Sequence, residues 1–179
     1  MQADDILYFW FEELSPAQHF AQDDALDAMI RARFGATCQA AQQCELWAWR
    51  TTAQGRLAEI LVLDQFTRNI HRGTAAAFAQ DAQALALAQE LVAGHHDAAL
   101  APTQRAFAYM PYMHSESLVV HNQAMVLFDQ PGLENNLQFE VRHRDIIARF
   151  GRYPHRNAAL GRTSTAQEVA FLAQPGSSF

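Results

Sequence analysis

Three polar blocks interrupt an otherwise apolar periodicity, and they hold most of the side chains that could do chemistry. The first runs from Asp64 through Gln65, Phe66, Thr67, Arg68 and Asn69 to Ile70 and on to Arg72-Gly73-Thr74. The second is Tyr109-Met110-Pro111-Tyr112-Met113-His114-Ser115-Glu116. The third is Arg149-Phe150-Gly151-Arg152-Tyr153-Pro154-His155-Arg156-Asn157, followed by Leu160-Gly161-Arg162-Thr163-Ser164-Thr165.

Asp64 and Arg68 lie four apart, so they can pair along one helix face. That face also carries Leu57, Ile60 and Leu61, which turns both charges inward. Buried charges persist only when paired or hydrogen-bonded. Two readings follow: an internal clamp that fixes helix packing, or the polar floor of a cleft with Asn69 beside it.

His114, Ser115 and Glu116 stand where a Pro-ended segment enters a long helix. Ser115 can cap that helix, and Glu116 suits its positive end. Alternatively His114 and Glu116 act as acid and base, since His titrates near neutral pH and a carboxylate can orient it. His121 is seven residues beyond His114, on the same helical side, but Glu116 is turned away from both, so no metal is expected. Glu140-x-x-His143 has di-iron spacing, yet the second such motif a bundle needs is missing. No cofactor is expected.

Arg149, Arg152, His155 and Arg156 form the most suggestive group. Gly151 permits a sharp turn and Pro154 stiffens the loop. Guanidinium forks suit bidentate contact with phosphate or carboxylate. Either these Arg pair with Asp64, Glu116 or Glu59 and lock the C-terminal helices to the core, or they hold an anion. Asn157, Arg162 and the hydroxyls before the last helix extend that anion cradle. His155 is a second candidate acid or base. The chain has no G-x-S-x-G elbow, P-loop, Rossmann glycine pattern or H-E-x-x-H.

The charge distribution agrees with a local anion site. Asp and Glu number 19 against 13 basic residues, all Arg, for a net charge of −6. Residues 142–162 carry six Arg against one Asp, a local +5, which leaves −11 for the rest. An acidic balance argues against nucleic acid or an anionic membrane as partner. Cys38 and Cys44, about 240° apart on a helix, form no metal pattern and are expected as reduced thiols.

The elements that must position these residues are helical. A first helix capped by Asp4 or Asp5 carries Ile6, Leu7, Phe9, Trp10 and Phe11, ending at Leu14-Ser15-Pro16. A second spans Asp23 to Phe34 and stops at Gly35, with a short helix from Ala36 to Gln43. After Trp47 and Trp49 the strongest helix covers Thr52 to Ile70. Others follow at Asp81–Ala93, Pro102–Tyr109 (ended by Pro111), Ser115–Phe128 and Leu133–Phe150. The last, Thr165–Ala173, opens with a Thr165/Glu168 capping box. With 179 residues and no low-complexity linker, a single all-α domain over 1–179 is expected. No apolar run approaches the roughly 18 residues of a membrane span. The Met-Gln-Ala-Asp-Asp start has no basic n-region, so a cytoplasmic protein is expected. The apolar aromatic residues are compatible with a homodimer without requiring one.

The three blocks together resemble the family called domain of unknown function 924, whose blocks read approximately D-Q-F-P-R-N, M-H-S-E, and R-F-G-R-F-P-H-R-N with L-G-R-x-S-T. The resemblance runs from Phe9-Trp10-Phe11 to the Thr165 helix. Thr67 stands where the family has Pro, and Tyr153 where it has Phe. The family implies an all-helical, tetratricopeptide-like fold, as an α-superhelix or packed antiparallel helix pairs, and implies no activity. The residues then lead to an expected function: binding a small anionic ligand or an acidic peptide end. Asp64, Arg68, Asn69, Arg149, Arg152, Arg156, Asn157 and Arg162 would line that site. The alternatives are a metal-free hydrolase or lyase using His114, Glu116 or His155 on a phosphorylated or carboxylated metabolite, and a helical scaffold for a partner protein.

Overall fold

In the computed structural model, which describes residues 1–177, the helical periodicity becomes nine α-helices, with no strand among the described residues. Helix α1 (Ala3–Tyr8) runs into a π turn over Phe9–Glu13. Its start lies one turn earlier than Asp5: Gln2 precedes the helix, and its N–H donates to Asp5 Oδ2 at 2.7 Å. Asp5 therefore closes the first turn from within rather than capping it.

Helix α2 (Asp24–Gln42) merges the two helices expected on either side of Gly35. Glycine weakens a helix interior by about 1 kcal/mol but does not end it unless the chain needs a left-handed residue. Here Leu26, Ile30, Phe34, Cys38 and Ala41 keep one buried stripe across Gly35, and that burial decides. Asp23 caps the helix, its carboxylate accepting from the N–H groups of Ala25 and Leu26.

A 3-10 turn, Trp47–Thr51, leads into α3 (Ala53–Leu61), where Thr52 Oγ1 accepts from the Gly55 N–H at 3.0 Å. The long helix expected to Ile70 is interrupted by a π turn at Val62–Phe66 before α4 (Thr67–Ile70). The extra residue rotates the following side chains, so this segment is buried all round: Leu57 through Thr67 is inside without a break. Thr67 has φ −61°, the value proline fixes, and its hydroxyl donates to Leu63 O at 2.6 Å. The helix thus keeps its course without the family's Pro.

Helices α5 (Asp81–Ala93), α6 (Pro102–Met113), α7 (Leu118–Phe128) and α8 (Glu134–Phe150) follow. Pro111 does not end α6 but lies inside it. It removes one N–H in the last turn, and burial of every residue from Ala106 to Met113 holds that turn together. Ser117, not Ser115, precedes α7; Ser115 Oγ instead accepts from the Ser117 N–H at 3.2 Å. Gly151 ends α8 with φ 68°, a left-handed turn that glycine adopts without strain. Helix α9 (Ala166–Leu172) has the expected capping box, Thr165 and Glu168 exchanging side chain-to-backbone bonds of 3.2 and 2.7 Å.

Helices α3 and α6 and the π turn between α3 and α4 form the centre, with α1, α2 and α5 packed on them and α7 then α8 added outward from α6. Phe9, Trp10, Phe34, Phe66 and Phe107 build the aromatic core. A smaller core of Ile146, Ile147 and Tyr153, with Phe150 and Phe171, holds the C-terminal segment. Among the described residues, no helix is long and apolar enough to cross a membrane.

Candidate functional site

The π turn at the centre of the fold presents Asp64 to the end of α6. Its Oδ1 lies 2.7 Å from Nδ1 of His114, the residue that closes α6. Gln65 Nε2 donates to Asp64 Oδ2 at 2.5 Å, and Arg68 Nη1 donates to Asp64 O at 2.6 Å and to Oδ1 at 3.2 Å. Burial opposes ionisation of Asp64, but His114, Arg68 and the Gln65 amide outweigh it and hold its carboxyl well below the usual range. Burial, then the neighbouring Arg68, pushes His114 below its ordinary value despite Asp64. At neutral pH the pair is therefore a carboxylate and a neutral imidazole. Because a carboxylate only accepts, the ring proton sits on Nδ1. Nε2 is left as a base with no hydrogen-bond partner among the described residues, on a side chain that keeps 16% of its surface exposed.

Arg68 also reaches the first residue of α5: its Nη2 donates to Asp81 Oδ2 at 3.1 Å. Arg156 Nη1, from the 3-10 turn Pro154–Arg156, donates to the same oxygen at 3.1 Å. The Arg156 guanidinium lies between the rings of Phe78 (4.7 Å) and Tyr153 (4.5 Å), and Phe78 also faces Arg68. Only 7% of the Arg156 side chain is exposed. Its Nε–H and Asp81 Oδ1 are both buried without a hydrogen-bond partner. Desolvation raises the Asp81 carboxyl above its ordinary value, against the pull of Arg68. His155, its ring tilted at 40° and 5.4 Å from that of Tyr153, is pushed down to about 4 by burial and by Arg156.

Arg162 and Arg152 of the third block are engaged by carboxylates. Arg162 makes a two-pronged pair with Glu116 at 2.6 and 2.9 Å, and Glu116 also accepts from the Tyr153 N–H at 2.8 Å. Arg162 Nε donates to Asn157 Oδ1 at 2.9 Å. Arg152 pairs with Glu168 at 2.7 and 2.8 Å, fixing α9. Arg149 lies over Phe150 and Phe171. Glu59, offered as a partner for this block, pairs with Arg50 at 2.7 Å instead. Asn69 faces away to a separate polar recess of about 250 Å³, where it and Arg72 bond Asp27.

The structure thus brings Asp64, Arg68, His114, His155 and Arg156 into one cluster. It sets His114 on Asp64 rather than on Glu116. His121 likewise faces away from His114: Nδ1 is 2.6 Å from Glu140 Oε1 and Nε2 is 2.8 Å from Ser115 O, with both side chains fully buried. No group of three or more His, Cys, Asp or Glu among the described residues is placed to hold a metal. Sequence reasoning missed Asp81 and Phe78. Asp81 reads as an ordinary acidic residue in a first helical turn, and nothing local says that two Arg from distant blocks converge on it.

The family model described as "Bacterial protein of unknown function (DUF924)" matches residues 6–176. The chain belongs to this family. A solved protein of unknown function from Agrobacterium tumefaciens, ATU0120, is 39% identical, with a TM-score of 0.90 over 96% of each chain. No curated protein matches. The three polar blocks of the sequence converge here: the first supplies Asp64 and Arg68, the second His114, and the third Tyr153, His155 and Arg156.

Proposed function

We propose that this DUF924 protein binds a small anion, a carboxylate or phosphate, against Arg68 and Arg156 with His114 facing it. The observation that carries this reading is the under-used guanidinium of Arg156. It is buried, its one ion-pair contact goes to an oxygen shared with Arg68, and its Nε–H meets no acceptor. Leaving a buried donor unpaired costs about 1–3 kcal/mol. An oxygen of a bound anion would recover that cost and add a charge-assisted bond. Phe78 covers both guanidinium groups from the short Ala75–Phe78 turn, so entry requires that turn to move.

The test is thermal unfolding with inorganic phosphate, succinate, malate and a short peptide carrying a free acidic C-terminus. A ligand at 100 times its Kd adds about 2.7 kcal/mol, which for a chain of this length raises Tm by roughly 5–10 °C. Arg156→Gln should fold and lose the shift. A shift that survives in Arg156→Gln would place the anion elsewhere and overturn the reading. Preference for the peptide over succinate would identify a peptide end as the natural source of the carboxylate.

A further inference from the structure

Helices α5 and α7 both pack on α6, and an open groove of about 720 Å³ runs between them. None of the nine residues along it is charged. Val92 of α5 and Leu127 of α7 form its walls, and Tyr112 of α6 lies at its floor. Tyr112 is only 3% exposed, and its hydroxyl has no hydrogen-bond partner among the described residues. Burial pushes that hydroxyl up to about 12, so it stays a proton donor at neutral pH. Leaving a buried hydroxyl unpaired is costly, and an occupant of the groove can pair it. The α7 lip of the groove is also a ridge. Val119 and Val126, one heptad apart, are 72% and 74% exposed, and Asn122 and Gln123 lie between them on the same face. Helix α7 carries no Asp, Glu or Arg, and its one histidine, His121, is fully buried. Asn122 Oδ1 accepts from Arg144 Nε at 3.0 Å, whereas the Gln123 amide has no partner among the described residues.

We propose that this groove receives α7 of a second copy of the chain, the two copies pairing about a two-fold axis that runs along the ridge. Ridge and groove lie side by side on one face, so each ridge fills the other copy's groove. That is what an isologous contact requires: a single patch that carries both shapes. Val119 and Val126 leave water for the apolar walls of the partner's groove, and the Gln123 carbonyl accepts the hydrogen bond of the Tyr112 hydroxyl opposite it. Charge selects the same occupant. The chain carries −6, and an interface holding its carboxylates would set like charges against each other. The uncharged face is where two acidic copies meet without that repulsion, whereas a charged peptide would leave its charges unpaired there. Helix α7 has 11 residues, about 16 Å of length. The contact is therefore at the small end of specific interfaces, which take roughly 800 Å² per partner, and the pairing is weak and concentration-dependent.

Sedimentation equilibrium of the full chain tests this, from about 5 μM to about 500 μM, a range that spans weak association. The expected result is a monomer–dimer equilibrium. Val126→Glu sets two carboxylates near the axis and should weaken it by about 100-fold or more, and Val119→Arg should act likewise. Both valines are exposed in the single chain, so circular dichroism and Tm of the variants should match the wild type at low concentration. Tyr112→Phe should weaken the dimer roughly 10-fold by removing the buried hydroxyl. Cys44 is an exposed thiol, so cross-linking uses a Cys44→Ser background. There Val126→Cys should oxidise to a disulfide-linked dimer, because the axis sets Val126 beside its own copy, and Ala25→Cys on α2 should not. A monomer at every concentration, or a dimer that Val126→Glu leaves intact, would overturn the proposal. So would a monomer that binds the neutral dye Nile red and loses it in Val126→Glu, which would give the groove to a small apolar ligand instead.

Discussion

Arg162 and Glu116 show how a charge that could have met a ligand becomes a strut. Each is about one-quarter exposed, and their two-pronged pair ties the loop after α8 to the turn between α6 and α7. Glu116 also holds the Tyr153 N–H, and Arg162 also bonds Tyr153 O at 3.0 Å. Arg162→Ala therefore strands a half-buried carboxylate and removes three tethers at once. Urea unfolding should show a loss of about 1–3 kcal/mol, with the anion-induced Tm shift retained because Arg156 is untouched. An unchanged urea midpoint would show that the pair does not brace the loop. Arg68, Arg72, Arg152 and Arg162 each have a carboxylate within 3.2 Å. Arg156 also meets a carboxylate, Asp81, at 3.1 Å, but it is buried and its Nε–H is left over, as are those of the half-buried Arg56 and Arg105.

At the scale of elements, two glycines that both lie within helices act oppositely in the fold. A Cβ on Gly55 would lie 1.9 Å from Trp49 O, because α3 starts hard against the Trp47–Thr51 turn. A Cβ on Gly35 meets nothing within 4 Å in the middle of α2. Gly55→Ala should destabilise by about 1–3 kcal/mol or more, as overpacking does, and disturb the Arg50–Glu59 pair. Gly35→Ala should stabilise by about 0.5–1 kcal/mol, since alanine loses less entropy in a helix. Chemical denaturation of the two variants side by side checks both signs, and equal effects would refute the account. The π turn at Val62–Phe66 is the other decisive element. Helical periodicity was enough to put Asp64 and Arg68 on one helix, but the added residue that turns Asp64 to His114 leaves no mark in an already apolar run.

For the whole molecule, the histidines set the response to acid. Burial pushes His143 down to about 3 and His155 to about 4, and His114 also lies below its ordinary value. Between roughly pH 4 and the unfolded value near 6.5, the unfolded chain binds protons that the folded chain refuses. Stability is therefore highest above about pH 6.5 and falls as pH drops toward 4. Asp81 and Glu140 are raised by burial and act in the opposite sense, favouring the folded state as they protonate. The urea midpoint should fall from pH 7.5 to pH 5, and His143→Leu should flatten that slope. A midpoint independent of pH over this range would rule the mechanism out.

What the sequence alone determined was the helical class, the start of α2, α5 and α6, the capping box of α9, the stop at Gly151 and the Asp64–Arg68 pair. These are set within about one or two turns of chain, by capping chemistry, proline and glycine geometry, and the spacing of apolar residues. The three-block resemblance also placed the family before any geometry was known. Only the tertiary structure decided that α2 runs through Gly35 and α6 through Pro111, because burial over a whole helix outweighs one weak or missing hydrogen bond. It likewise decided which carboxylate each Arg meets. Asp64 with His114 spans 50 positions and Asp81 with Arg156 spans 75, and charge complementarity carries no address over such separations. The site is the product of which helices pack together, and that is settled by the shape of the core.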